Sequence, residues 1–221
     1  MKFRSFMALV PPLLALLFTG CADNRSHTRG VYMLLDTSGT YVKEIGKARL
    51  IINYLLANLN PGDSLAVAKV ETRSFTEKDI IAKVTFDRRP SYANDQKRAF
   101  DKKIDDFAKH SRKGSAYTDI TGALIQGAEF LNEANTGHKT IIIFSDMKED
   151  LEKGTIRNFP IKLTGIQIVA VNVTKLRSDN VDPRLYLDRL ASWKKRVLKA
   201  GASKWLVIND LDHLDEVLGQ R

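Results

Sequence analysis

This sequence predicts an α/β fold, doubly wound around a mostly parallel six-stranded sheet with one antiparallel edge strand and helices on both faces. Three observations lead there. Short, almost wholly apolar runs recur along the chain, as strands do when both faces of their sheet are covered. Amphipathic helical stretches separate most of them. One pair of runs is joined by only the nine residues Glu71–Asp79, too few for a crossover helix, so that pair is antiparallel and lies at an edge.

Gly30–Leu35 is the first strand, an apolar run bounded by turn formers. From Val42 to Asn60 the apolar residues Ile45, Ala48, Ile52, Leu55, Leu56 and Leu59 share one helical face, and Pro61-Gly62-Asp63 ends the helix. Ser64–Val70 and Ile80–Phe86 are the antiparallel pair. A long charged helix follows over about Asn94–Lys109, with the narrow apolar stripe Phe100, Ile104, Phe107 and Ala108. Ser111–Tyr117 reads as a loop, and Thr118 begins or caps a helix whose inner face is Ile120, Leu124, Gly127 and Leu131. Lys139–Phe144 and Ile166–Val173 are buried strands. Asp182-Pro183 has the order of cap then first-turn proline, and starts a helix with Tyr186, Leu190, Trp193 and Val197 inward. Trp205–Ile208 is the last strand, and Asp210 caps a short terminal helix through Leu218. No repeat, low-complexity segment or composition shift marks a second domain, so residues 30–221 read as one.

The N-terminus has a different character. Lys2 and Arg4 precede an apolar stretch, Phe6–Phe18, interrupted by Pro11-Pro12. It is shorter than the roughly 20 residues of a spanning helix and reads as a signal peptide over residues 1–20. The end of that stretch, Leu17-Phe18-Thr19-Gly20-Cys21, resembles a bacterial lipobox, which implies cleavage before Cys21 and lipid on its sulfur. Residues 21–29 are then a lipidated tether, and the chain is held in the cell envelope by its acyl groups. In a cell with two membranes, Ala22 implies the outer one, facing the periplasm.

Cys21 is the only cysteine, which excludes a disulfide and any cysteine-based zinc or redox site. The formal charge of +9 falls by two when the leader departs. A basic balance outside the cytoplasm points to anionic envelope polymers or lipid head groups. Nucleic acid is not expected, because no aromatic-interleaved basic stripe is present. His27, His110, His138 and His213 are scattered and read as solvated.

Oxygen-bearing side chains close three of the predicted loops. Asp36-Thr37-Ser38-Gly39-Thr40 follows the first strand, Thr118-Asp119 lies in the middle of the chain, and Ser145-Asp146 follows the strand Lys139–Phe144. Taken singly, each has a plainer reading: Asp36, Ser38 and Thr40 can cap the helix starting near Val42, Thr118 can cap its own helix, and Asp146 can be a turn residue. Taken together, in a sheet ordered 3-2-1-4-5-6, the first and fourth strands are neighbours. Their ends flank the crevice where ligands bind in open α/β sheets. Carboxylates and hydroxyls meeting there suit a hard cation, Mg²⁺ ahead of Mn²⁺.

This pattern resembles the von Willebrand factor type A domain from about Arg29 onward. The resemblance implies a metal-ion-dependent adhesion site formed by Asp36, Ser38, Thr40, Thr118 and Asp146, with Thr40 standing where the family has serine. It also implies that a partner protein donates a carboxylate to the cation. Asp119 is a candidate for an outer supporting group, with helix-dipole stabilisation as its plainer role. Tyr41 either packs at the helix start or contacts a partner.

The leading expectation is therefore an envelope-anchored binding module without catalytic residues. An alternative is a metal-independent basic domain recognising anionic glycan or lipid through Lys97, Arg98, Lys102, Lys103, Lys109, Arg112 and Lys113. A Mg²⁺-dependent hydrolase is a further alternative. Ser38 occupies the place of the second carboxylate in a D-x-D phosphoryl-transfer motif, and no G-x-S-x-G, H-E-x-x-H or P-loop lysine motif is present.

Overall fold

Gly30–Leu35 and the run ending at Phe144 do lie side by side, at the centre of a six-stranded sheet. The computed structural model describes residues 27–39, 42–72, 76–111, 114–155, 160–209 and Leu214. The expected leader, lipid-bearing Cys21 and most of the tether fall outside the described residues. So do Thr40, Tyr41, Arg112, Lys113 and, apart from Leu214, the terminal helix.

The strands are β1 (Arg29–Asp36), β2 (Ser64–Val70), β3 (Ile80–Thr85), β4 (His138–Phe144), β5 (Ile166–Val171) and β6 (Lys204–Ile208). Their order across the sheet is β3-β2-β1-β4-β5-β6, and every neighbouring pair is parallel except β2–β3. The sequence expectation of a doubly wound sheet with one antiparallel edge strand therefore holds. Side chains of β1 alternate between two cores, because successive Cβ atoms point to opposite faces. Val31, Met33 and Leu35 join Ile51, Ile52, Leu55, Phe100 and Ile104 on one face. Tyr32 and Leu34 join Ile120, Leu124, Leu131, Trp193 and Val197 on the other.

The first face is covered by α1 (Ile45–Asn58) and α2 (Pro90–His110), the second by α3 (Ile120–Glu133) and α5 (Arg184–Lys199). A 3₁₀ turn, Val42–Glu44, leads into α1, and Ile51 adds to its expected inner face. α2 begins at Pro90 rather than Asn94. Proline at the first helical position forfeits no intrahelical bond and already has helical φ, so the helix extends back to it. Its buried residues are Ala93, Phe100 and Ile104, while Phe107 and Ala108 of the expected stripe are half-buried. The short α4 (Arg177–Val181), absent from the sequence reading, precedes α5. No helix occupies the described part of the β4–β5 connection, and Leu163 from that connection is buried in the core beneath α5. Among the described residues no helix is long and apolar enough to cross a membrane.

α3 lies close enough to β1 that its Gly127 meets the Tyr32 ring. A Cβ on residue 127 would stand 2.8 Å from Tyr32 Cδ1 and 3.2 Å from Ile141 Cδ1. Tyr32 is itself fixed, its hydroxyl donating to Gln126 Oε1 at 2.9 Å. Gly127→Ala is expected to cost roughly 1–3 kcal/mol, the usual scale of overpacking. Urea denaturation of the variant against the parent measures it, and an unchanged midpoint would mean that the ring has room to yield.

Candidate functional site

Because β1 and β4 run parallel with Leu35 opposite Phe144, the next residues along, Asp36 and Ser145, come level at the carboxyl end of the sheet. Ser145 Oγ donates to Asp36 Oδ2 at 2.6 Å, and Ser38 N donates to Asp36 Oδ1 at 2.8 Å. One residue further, Asp146 Oδ1 accepts from Lys148 N at 2.8 Å. Asp36 is 2% exposed and Asp146 5% exposed. Burial pushes the Asp146 carboxyl above its ordinary range. The Asp36 charge pushes it further the same way, against the Lys148 amide bond and the charges of Arg189 and Lys148. Two carboxylates thus share one poorly hydrated corner, and neither forms an ion pair with a described side chain.

The three loops are joined to one another by main-chain bonds. Ser115 N donates to Thr37 O at 2.8 Å, with Ser38 and Ser115 in a parallel bridge. Thr118 and Asp150 pair antiparallel, with Thr118 N to Asp150 O at 2.8 Å and the reverse bond at 3.0 Å. Thr37 Oγ1 adds a bond to Val70 O at 3.0 Å, fixing the first loop to β2. Where the first two loops meet, backbone touches backbone. A Cβ on Gly114 would lie 2.5 Å from both Gly39 Cα and Gly39 N, so this approach admits only glycine at 114.

The structure thus brings Asp36, Ser38, Thr118 and Asp146 to adjoining loops at one end of the sheet, while Thr40 lies outside the described residues. It corrects the reading of Thr118 as a helix cap. Asp119 is the cap of α3, accepting from Gly122 N at 2.8 Å, and Thr118, 4% exposed, is instead held in extended pairing with Asp150. Asp119 is fully buried, with its own amide donating to Glu71 O. The described histidines, His27, His110 and His138, are exposed, as expected.

Sequence reasoning missed the groups that fasten the Asp146 loop from behind. Arg189 Nε donates to Asp146 O at 3.0 Å, and its terminal nitrogens donate to Asp179 Oδ1 and Oδ2 at 3.1 and 2.7 Å. Trp193 Nε1 donates to Met147 O at 2.9 Å, and Met147 N donates to Ser145 Oγ at 3.0 Å. Arg196 reaches Glu149 Oε2 at 3.0 Å, and Glu149 Oε1 accepts from Thr121 N at 2.7 Å. These bonds hold Met147 at φ 63°, a left-handed conformation costing on the order of 1–2 kcal/mol for a residue with a Cβ. The available signal was an arginine at 189, beside the inward stripe of Tyr186, Leu190 and Trp193.

Among the described residues no group of three or more His, Cys, Asp or Glu side chains is gathered as a metal site. A cation here would rest on the two carboxylates, hydroxyls and water. That donor set, all oxygen and with both carboxylates buried, fits Mg²⁺ or Mn²⁺ rather than zinc.

The fold resembles that of solved structures. The von Willebrand factor type A protein from Catenulispora acidiphila superposes with a TM-score of 0.52 at 13% identity, over 87% of this chain and 41% of that one. This chain has the von Willebrand factor type A fold. It spans less than half of that protein's length. The human COPII-coat protein Sec24c gives a TM-score of 0.46 at 12% identity, over 89% of this chain and 32% of that one. The conserved hypothetical protein BatB from Bacteroides thetaiotaomicron gives 0.42 at 12%, over 87% and 96%. No family model matches the chain, and no curated protein matches it. In this von Willebrand factor type A fold, Asp36 and Asp146 stand at the ends of the two central strands, where the sequence resemblance placed them.

The ion pair behind the site has a pH signature. Hydrogen bonds from Arg189 draw the Asp179 carboxyl down to about 2, against its burial, with help from the Leu176 amide. A carboxylate whose folded pKa lies below its unfolded value, about 4, contributes stability in full above the unfolded value. That contribution is lost as pH falls through the folded value. Asp179→Asn is therefore expected to be less stable than the parent above about pH 4, with the difference vanishing toward about pH 2. Urea midpoints across that range check it, and a pH-independent difference would assign the loss to packing instead.

Proposed function

We propose that this chain is a binding module tethered in the cell envelope through lipidated Cys21. Asp36, Ser38, Thr40, Thr118 and Asp146 hold a divalent cation, Mg²⁺ ahead of Mn²⁺, and a carboxylate from a partner protein completes its oxygen shell. The observation that carries this reading is the buried pair Asp36 and Asp146, two carboxylates in one corner whose charges no described lysine or arginine pairs with. Such a corner gains from a cation, and a cation with an open position gives direction and charge complementarity to a protein contact. In this reading the module holds its partner and does not transform it.

A second reading keeps the fold and dispenses with the metal. Lys102, Lys103 and Lys109 are exposed on α2, a charged face that would take anionic glycan or lipid head groups. Binding of that kind weakens with salt and ignores chelators.

Calorimetric titration of Mg²⁺ and of Mn²⁺ into the parent, Asp36→Ala and Asp146→Ala tests the first reading. Heat of binding in the parent and none in either variant is expected. A folded parent that takes up neither cation, with acetate supplied as the missing carboxylate, sinks the metal-dependent reading and leaves the basic face of α2 as the surface to pursue.

A further inference from the structure

Three side chains on one stripe of α5 hold the loop that carries Asp146. Arg189, Trp193 and Arg196 are spaced by four and three residues, so they project from the same side of the helix. They reach three points on one short loop: Asp146 O at 3.0 Å, Met147 O at 2.9 Å and Glu149 Oε2 at 3.0 Å. Two of these bonds go to consecutive carbonyls, one of them belonging to Asp146 itself. Consecutive carbonyls fixed from one side set the orientation of the peptide between them, and with it the direction in which the Asp146 side chain leaves the backbone.

Arg189 is the most committed of the three. Its Nε holds the Asp146 carbonyl, and both terminal nitrogens engage Asp179 in a bidentate pair. The Arg189 side chain is 13% exposed and that of Asp179 is fully buried. The guanidinium touches no expected cation ligand through a side chain, only the main chain of one.

Resting on the metal reading above, we propose that Arg189 is a positioning residue for the divalent cation, holding the Asp146 peptide so that its carboxylate faces Asp36, while Asp179 neutralises the guanidinium. Charge and position make opposite predictions for this residue. A positive group behind one of two carboxylates opposes a divalent cation, so removing it for its charge alone tightens cation binding. Removing a group that orients a ligand weakens binding, typically by about 10–100-fold for outer partners of metal ligands. Asp179 belongs to the same device. It fixes the planar fork of Arg189 in the one orientation that leaves Nε free for the Asp146 carbonyl, and a lysine has no equivalent fork.

The test is calorimetric titration of Mn²⁺ and Mg²⁺ into the full chain carrying Arg189→Gln, Arg189→Lys or Trp193→Phe, with near-ultraviolet circular dichroism to confirm the fold. Arg189→Gln is expected to weaken both cations about tenfold or more. Arg189→Lys, which restores the charge without the fork, is expected to leave most of that loss in place. Trp193→Phe keeps an aromatic ring but loses the bond to Met147 O along with part of the buried indole, and is expected to weaken binding about tenfold, the low end of that range. If Arg189→Gln does not fold, Arg189→Lys decides the matter: binding as tight as the parent's overturns the positioning role. A parent that binds cation while the folded variants bind equally or more tightly overturns the positioning role alone. A folded parent that binds neither cation overturns the metal reading, and this inference with it.

Discussion

Two like charges buried in one corner are the constraint around which the upper end of this molecule is organised. Asp36 and Asp146 lie at the ends of adjacent parallel strands, both nearly closed to solvent. Water would normally disperse such repulsion, and here little of it reaches them. The chain answers with directed donors: the Ser38 and Lys148 amides and the Ser145 hydroxyl all point at these carboxylates. Those bonds orient the oxygens but bring no full positive charge. The Arg189 guanidinium spends its terminal nitrogens on Asp179 and bonds the corner only through the Asp146 carbonyl, its charge and that of Lys148 offsetting part of the burial felt by Asp146. What remains is a buried, acidic corner, the feature on which the proposed cation site rests.

The surrounding fold is the frame that keeps those two groups together against their repulsion. Two separate apolar cores, one on each face, grip β1 and β4 from both sides. The close approach of α3 over Tyr32, made possible by Gly127, and the glycine contact between residues 39 and 114 leave neighbouring elements little room to shift. The left-handed Met147, buried and bonded at both its amide and its carbonyl, is a conformation the loop would not choose alone.

Much of this was legible in the sequence because it rests on local patterns. Apolar runs gave the strands, the short Glu71–Asp79 link gave the antiparallel edge, and Asp36 and Asp146 were found by their places at strand ends. The failures are equally physical. Thr118 has the chemistry of a cap, yet Asp119 beside it takes that role, since the backbone at 118 is committed to pairing with Asp150. Proline extended α2 back to residue 90, where charge pattern alone suggested a later start. The Arg189–Asp179 pair was invisible because its partners meet only when α5 lies against the loop after β4. No periodicity records which carbonyl an arginine will find.

The bond from Ser145 to Asp36 spans 109 residues of chain, and its length has a kinetic meaning. Closing so wide a loop costs entropy before any contact repays it, and folds dominated by distant pairings form slowly. The β2–β3 pairing can form early, because its two strands are close in sequence. The pairing of β1 with β4 cannot, since both strands need helices from intervening segments to cover them. The carboxylate corner therefore has no existence in a partly assembled chain. The two carboxylates are thus brought together in one step with the closing of the sheet, and no earlier.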